Sequence, residues 1–356
     1  MSFPIRFGIA ITLLSASGVA WAQQVPVIPA ECAATSNNCA VATQTGSNAT
    51  ATINQPGTSN TAVVEQTSVT GAVSTVEQSG SVNFAEVEQI DNGLSSVHRS
   101  TIDQGGDRNT AFLIQNERGS SAGQFSDIDQ SGSDNYADVA QTGFADDSFV
   151  TQSSDGNSAI VIQDSVLNGV GFITNQTSTV IQSGTGGHIA NVSQTQGILS
   201  NSYVEQQGDT NTATAIQIAT RQDLDIIQTG NGNIATVSQG QILFGPGENI
   251  AFVEQIGNFN QSTITQVQSS STNNARSTQS GDNGRSTIIQ EGEPVMNARN
   301  NSATLNQLLG SSEAVSLIDQ MGEDNIASVT QGGIGDMSTV IQNGNGNMAT
   351  VSQNVP

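Results

Sequence analysis

Glutamine recurs every eleven residues near the C-terminal end of this chain, at Gln320, Gln331, Gln342 and Gln353. Around it Asn325, Ala327, Val329 and Gln331 are spaced by two, as are Asn347, Ala349, Val351 and Gln353, with Ser338, Val340 and Gln342 as a sister set between them. A period of two puts each set on one face of a β-strand. A strand of about seven residues and a turn of about four make half a coil, and a Gly two residues after the Gln supplies the backbone freedom of a tight reversal. The pattern predicts an all-β fold: a β-solenoid of stacked two-strand coils, about 22 residues per layer, in which Gln and Asn bond to their own copies one layer away as in amyloid cross-β.

The same frame runs from Gln44 to Gln353. One strand type reads Asn-x-Ala-x-x-x-Gln, as from Asn83 to Gln89, Asn109 to Gln115 and Asn135 to Gln141, with a weaker copy ending at Gln194 that keeps Ala190. The other reads Ser-x-aliphatic-x-Gln, as from Ser74 to Gln78, Ser100 to Gln104, Ser126 to Gln130 and Ser316 to Gln320. The two alternate, as opposed sheets of one solenoid require, and give roughly 13 layers stacked over roughly 60 Å. The candidate ladder residues are Gln66, Gln78, Asn83, Gln89, Gln104, Asn109, Gln115, Gln130, Asn135, Gln141, Gln320, Asn325, Gln331, Gln342, Asn347 and Gln353.

Spacing separates the two turns. From a serine-type Gln to the next asparagine-type Gln the step is usually eleven, as from 55 to 66, 78 to 89 and 206 to 217, whereas the return step reaches fifteen from Gln89 to Gln104 and nineteen from Gln163 to Gln182. One edge is therefore tight and the other takes the insertions, with the step from Gln290 to Gln307, containing Pro294, as an exception on the tight edge. Alternation fails once, because Gln239 and Gln255 both close asparagine-type strands. The expectation is a short strand of the second sheet at Gln241 to Phe244, since skipping it would set every later strand on the wrong face.

Only 35% of the 356 residues are hydrophobic and 4% aromatic, lean for an ordinary globular core, yet a disordered chain would not keep the Gln spacing. The formal charge is −23 and all eight basic residues are Arg, a surface that repels nucleic acid and anionic lipid. Residues 1–22 have Arg6 before a short apolar run and end in Ala20-Trp21-Ala22, the pattern of a secretory signal peptide rather than a membrane span. Residues 23–43 are expected to be a flexible leader carrying Cys32 and Cys39, seven apart, which either close a disulfide in an oxidising compartment or remain free or intermolecular thiols. Residues 44–353 are the solenoid. Residues 354–356 form a tail too short for a capping helix, which makes the C-terminal layer a template and the first layer, around Gln44 to Gln66, its partner.

Glu65, Glu77, Glu88, Asp103, Asp129, Glu205, Glu254 and Asp319 each precede a ladder Gln and so face outward. They are either a solvated face or gatekeepers whose like charges slow assembly. Phe84, Phe112 and Phe252 also face outward, as lateral glue between fibres or as isolated surface aromatics.

The tandem units resemble the curlin-repeat family, the amyloid subunits of bacterial curli fibres, whose unit is Ser-x5-Gln-x-Gly-x2-Asn-x-Ala-x3-Gln. Gln342, Gly344, Asn347, Ala349 and Gln353 match it, as do Gln320, Gly322, Asn325, Ala327 and Gln331, and Gln104, Gly106, Asn109, Ala111 and Gln115. Here the serine stands four residues before Gln instead of six, and the units are more numerous than in short curlin subunits. The resemblance implies export through the periplasm of a Gram-negative bacterium and an outer-membrane curli-type secretion pore, with the leader as address. It further implies assembly on the cell surface, with itself and with a nucleator subunit, into a secreted amyloid that supports biofilm and adhesion.

Other readings compete less well. The only histidines, His98 and His188, are far apart in sequence and no nucleophile motif accompanies them, so no enzyme is expected. Without Lys there is no P-loop, and no cofactor is expected. Two Cys and two distant His make no structural zinc site. The acidic turns GSDN at 132–135 and GEDN at 322–325 suggest a calcium-binding β-roll, but its nonapeptide is missing. A monomeric secreted solenoid adhesin or an ice-binding protein is the remaining alternative.

Overall fold

The computed structural model describes residues 23–30, 32, 37–91, 97–117, 123–164, 175–195, 199–218, 221–241, 248–268, 272–291 and 300–355. Its strands, in chain order, are β1 (Cys39–Ser47), β2 (Thr50–Asn54), β3 (Thr61–Thr70), β4 (Val73–Gln78), β5 (Phe84–Asp91), β6 (Arg99–Gln104), β7 (Thr110–Glu117), β8 (Phe125–Gln130) and β9 (Tyr136–Thr142). There follow β10 (Asp147–Gln152), β11 (Ser158–Asp164), β12 (Thr177–Gly186), β13 (Ile189–Thr195), β14 (Asn201–Asp209), β15 (Thr212–Ile218), β16 (Gln222–Asn231) and β17 (Ile234–Gln241). The last are β18 (Asn249–Ile256), β19 (Gln261–Gln268), β20 (Asn273–Gln279), β21 (Arg285–Glu291), β22 (Asn301–Gln307), β23 (Val315–Met321), β24 (Ile326–Gln331), β25 (Met337–Asn343) and β26 (Met348–Gln353). Odd-numbered strands form one parallel sheet of thirteen and even-numbered strands a second, each strand pairing with the next of its own parity. The protein is thus an all-β solenoid of two-strand coils.

The core lies between the sheets and follows from the period of two. In β5, Ala85, Val87 and Gln89 are fully buried, and in β6, Ile102 and Gln104 are, with Ser100 close to it. Apolar contributions are thin, one or two Ala, Val, Ile or Leu per strand, and run as one continuous cluster from Ala62 to Val340. Each buried aliphatic side chain contributes about 1.5–3 kcal/mol, so stability accumulates only because layer supports layer.

Two expectations are corrected by the strand order. Among the described residues no strand comes between β16 and β18 in the second sheet: Gln241 ends β17 in the first sheet, and β16 pairs directly with β18. Residues 242–247 lie outside the described residues. The chain skips the missing half-coil, and the two strand types exchange sheets. Asparagine-type β18 stacks on serine-like β16, with Leu224 beside Ala251, Ile226 beside Val253 and Gln228 beside Gln255. Serine-type β19 stacks on asparagine-type β17, pairing Ala235 with Ser262, Val237 with Ile264 and Gln239 with Gln266. Faces are preserved because both types present a small residue, an aliphatic and a Gln inward at the same spacing. The exchange also removes the supposed exception at Gln290 to Gln307. That step runs from the first sheet to the second, across the edge that carries the other long steps from Gln89 to Gln104 and Gln163 to Gln182.

The N-terminal side differs too. Strand β1 opens at Cys39, so residues 39–43 pair with β3, and the sulfurs of Cys32 and Cys39 are bonded, with Cα atoms 5.5 Å apart. Residues 1–22, expected to be a signal peptide, lie outside the described residues. Phe84 and Phe112 are on the outer face as expected but are not exposed: they pack in a row with Tyr136 and Ile160, all buried. Residues 23 and 24 lie over the end of that row, where the Gln24 backbone N–H donates to the Tyr136 hydroxyl and Gln23 Nε2 donates to Ser158 Oγ at 3.1 Å. Phe252 is capped by Arg276, whose guanidinium carbon is 4.3 Å from the ring centroid.

The inward hydroxyls of Ser126 and Ser148 are buried with no hydrogen-bond partner among the described residues, at a position where the other strand type carries Ala. Ser126→Ala should therefore leave stability unchanged or raise it by up to about 1 kcal/mol. Ile128→Ala, two residues on, should lower it by about 2–5 kcal/mol. Denaturant unfolding of the unassembled chain measures both.

Candidate functional site: the amide ladders

A Gln side chain is long enough to place its amide beside that of the Gln one layer away, and an amide both donates and accepts, so identical copies can chain without limit. In the first sheet the ladder runs unbroken from Gln44 through Gln66, Gln89, Gln115, Gln141 and Gln163 to Gln320 and Gln342. Each Nε2 donates to the next Oε1, for example 2.8 Å from Gln66 to Gln89 and 2.9 Å from Gln163 to Gln194. In the second it runs from Gln55 through Gln78, Gln104, Gln130 and Gln152 to Gln331 and Gln353, equally unbroken. Successive rungs are separated by 22 residues at their closest and 31 at their widest, so loop length varies while register does not. The second amide hydrogen crosses the core to the first carbonyl of the preceding strand, as from Gln152 to Tyr136 O at 3.0 Å and from Gln78 to Thr61 O at 3.2 Å.

Six residues before each asparagine-type Gln a second ladder forms at the turn. Asn83, Asn109 and Asn135 lie in the first sheet, where each backbone N–H donates to the Oδ1 of the Asn before it at 2.8–2.9 Å. Asn Nδ2 donates forward to a turn carbonyl, as from Asn83 to Gly106 O at 2.7 Å. Gly106 must stay bare there, since a Cβ would collide with the Gly132 carbonyl of the next layer. After the exchange of strand types the Asn ladder changes sheet with them. Asn325 donates to Asn301, and Asn347 to Asn325, in the second sheet.

His188 occupies an Asn position, between Asn157 and Asn211, and His98 stands at the same level of the coil in the second sheet, between Ala72 and Gln124. The His188 backbone N–H donates to Asn157 Oδ1 at 3.0 Å, its Nδ1 accepts from the Asn211 N–H at 3.2 Å, and its Nε2–H donates to Ser183 O at 2.8 Å. That pattern needs a neutral ring with the proton on Nε2. His98 likewise accepts the Gln124 N–H on Nδ1 at 3.4 Å. Their spacing, six before Gln194 and six before Gln104, was the available signal. The sequence reading also passed over Asn38, which begins the Asn ladder, and the Ser148-x-Val150-x-Gln152 strand.

The outward carboxylates stack in register: Glu65 beside Glu88, and Glu77 beside Asp103 beside Asp129. Burial, and then the neighbouring charge of Glu65, raises the Glu88 pKa. Burial, followed by Asp103 and Asp127, does the same to Asp129. At the acidic turn 132–135, both carboxylate oxygens of Asp134 are held by Arg108 at 2.6 Å, and Asn135 belongs to the ladder. Among the described residues no group of three or more His, Cys, Asp or Glu is placed to hold a metal ion, and no helix is long and apolar enough to cross a membrane.

Two sheets laddered by buried amides define a structural repeat protein. Comparison with known protein families matches residues 132–164, which contain β9, β10 and β11, to the curlin associated repeat, consistent with a curlin-repeat family member. No curated protein matches the chain.

Burial pushes the His98 pKa down to about 4, against a smaller upward pull from Asp91. The unfolded imidazole takes its proton near 6.5, so this contribution to stability is complete above about pH 6.5 and is lost as the pH falls toward 4, on the order of 3 kcal/mol in all. Asp138, raised to about 6 by burial, works in the opposite sense over the same range. His98→Asn should keep an acceptor for the Gln124 N–H and abolish the acid-sensitive component, read as the difference between the pH profiles of thermal unfolding of the two proteins.

Proposed function

We propose that the protein is a structural subunit of an extracellular curli-type amyloid fibre, self-assembling end to end and supporting biofilm matrix and cell adhesion. The observation that carries this reading is that both Gln ladders run the full length of the described solenoid and finish at end layers whose core-facing side chains are exposed or half-buried. Ala40 and Ala42 of β1 are exposed although their stacking partners Ala62 and Val64 are fully buried. At the other end Ala349 and Val351 are half-buried, whereas Ala327 and Val329 beneath them are buried. An open parallel sheet edge backed by an unfinished core templates another chain. On this reading the chain is exported through the periplasm, acts without catalysis or cofactor, and has as partners its own copies, a nucleator subunit and an outer-membrane curli-type pore.

The stacked carboxylates fit gatekeeping: repulsion among Glu77, Asp103 and Asp129 opposes close approach until acid or salt relieves it. Purified chain without residues 1–22 should, over hours, sediment as fibres that bind amyloid dye and diffract at about 4.7–4.8 Å, and faster at higher salt. A clear, monomeric, dye-silent solution would instead support a secreted solenoid adhesin.

A further inference from the structure

End-to-end assembly, the reading proposed above and the one on which this joint rests, brings β25 and β26 of one copy against β1 and β2 of the next. The ladders are polar. At one end Gln44 and Gln55 donate up the stack to Gln66 and Gln78 and present Oε1 outward. At the other, Gln342 and Gln353 donate only to Ile326 O and Met337 O, at 3.0 and 2.9 Å, leaving a second amide hydrogen for a further rung. Like ends would set donor against donor, so only unlike ends are complementary.

The core-crossing bond then selects between two rotations. Gln353 reaches the first carbonyl of β25, Gln342 that of β24, and Gln55 that of β1, each the strand immediately before it in the chain and in the opposite sheet. Gln44 of an incoming copy finds the equivalent acceptor, Met348 O, only if β1 stacks on β25 and β2 on β26. A half-turn about the solenoid axis, which would match asparagine-type β26 with asparagine-type β1, leaves β25 without the strand above it and Gln44 without its acceptor.

We propose that copies join in phase, so that the first sheet of one continues as the first sheet of the next, with Gln342 donating to Gln44 and Gln353 to Gln55. Because the strand types exchanged sheets between Gln239 and Gln255, this joint is mixed, serine-type β25 under asparagine-type β1. The molecule already contains such a junction. Gln228 donates to Gln255 at 2.8 Å and Gln239 to Gln266 at 2.9 Å across it, without a break in either ladder. The exchange inside the chain and the joint between chains are the same packing problem, solved by the inward residues that the two types share.

Outward-facing cysteine pairs test the phase. Thr350 and Thr52 are exposed and would sit on adjacent strands about 4.8 Å apart in the in-phase joint, whereas the rotated joint sets Thr350 beside Val41. Chains carrying Thr350→Cys with Thr52→Cys, or Thr350→Cys with Val41→Cys, are assembled, mildly oxidised and resolved by non-reducing electrophoresis and mass spectrometry of the linked peptides. The expected result is an intermolecular 52–350 link at roughly tenfold higher yield than 41–350, since a disulfide requires Cα atoms within about 7 Å. A dominant 41–350 link, or fibres that form neither, overturns the in-phase joint and leaves the fibre intact. Failure of the unsubstituted chain to form any sedimentable polymer overturns the fibre reading, and the joint with it.

Discussion

The structure depends on one bond repeated: a Gln amide donating to the same amide one layer away, inside a buried core. Strand spacing in a sheet, about 4.8 Å, suits that contact only when the residue recurs in register. Omitting a rung would strand a buried donor below and a buried acceptor above, at about 1–3 kcal/mol each. This is why insertions are confined to the connections. The interval between stacked rungs ranges from 22 to 31 residues without displacing one, because a loop can lengthen outside the sheet and a strand cannot.

The exchange of strand types shows which parts of the repeat are obligatory. Across it the Gln ladder continues in both sheets, whereas the Asn ladder leaves the first sheet after the Gly284 N–H donates to Asn260 and is found in the second at Asn301, Asn325 and Asn347. Asn finishes a turn, and a turn can be finished in other ways. Gln222, His98 and His188 stand at the same level of the coil and accept bonds there. The inward triplet of small residue, aliphatic and Gln is common to both types, so either sheet accepts either strand.

Strand identity, facing and the two ladders were legible because they are periodic, and a period of two in a period of eleven leaves little choice of fold. The exchange at Gln239 to Gln255 was not legible, because it turns on whether a half-coil is skipped. Both answers satisfy the local pattern, and facing does not decide between them, since a skipped strand moves residues between sheets without turning them over. The period of two sets Phe84 and Phe112 on the outer face, but their burial arises from their neighbours in the row, Tyr136 and Ile160, and from residues 23–24, which carry no periodicity to read. The histidines were visible in frame, six before a Gln; what was needed was to see that a neutral imidazole offers the acceptor and donor of an Asn side chain.

Side-chain amide hydrogen exchange, followed by nuclear magnetic resonance on the ¹⁵N-labelled chain, addresses the ladders most directly. The Nε2 hydrogens of Gln163 and Gln206, each bonded to the next rung and across the core, should exchange only with global unfolding, while those of exposed Gln207 exchange at the rate of free glutamine. Exchange of Gln163 and Gln206 as fast as Gln207 in the folded protein would contradict the ladders as the interaction that holds the coils together.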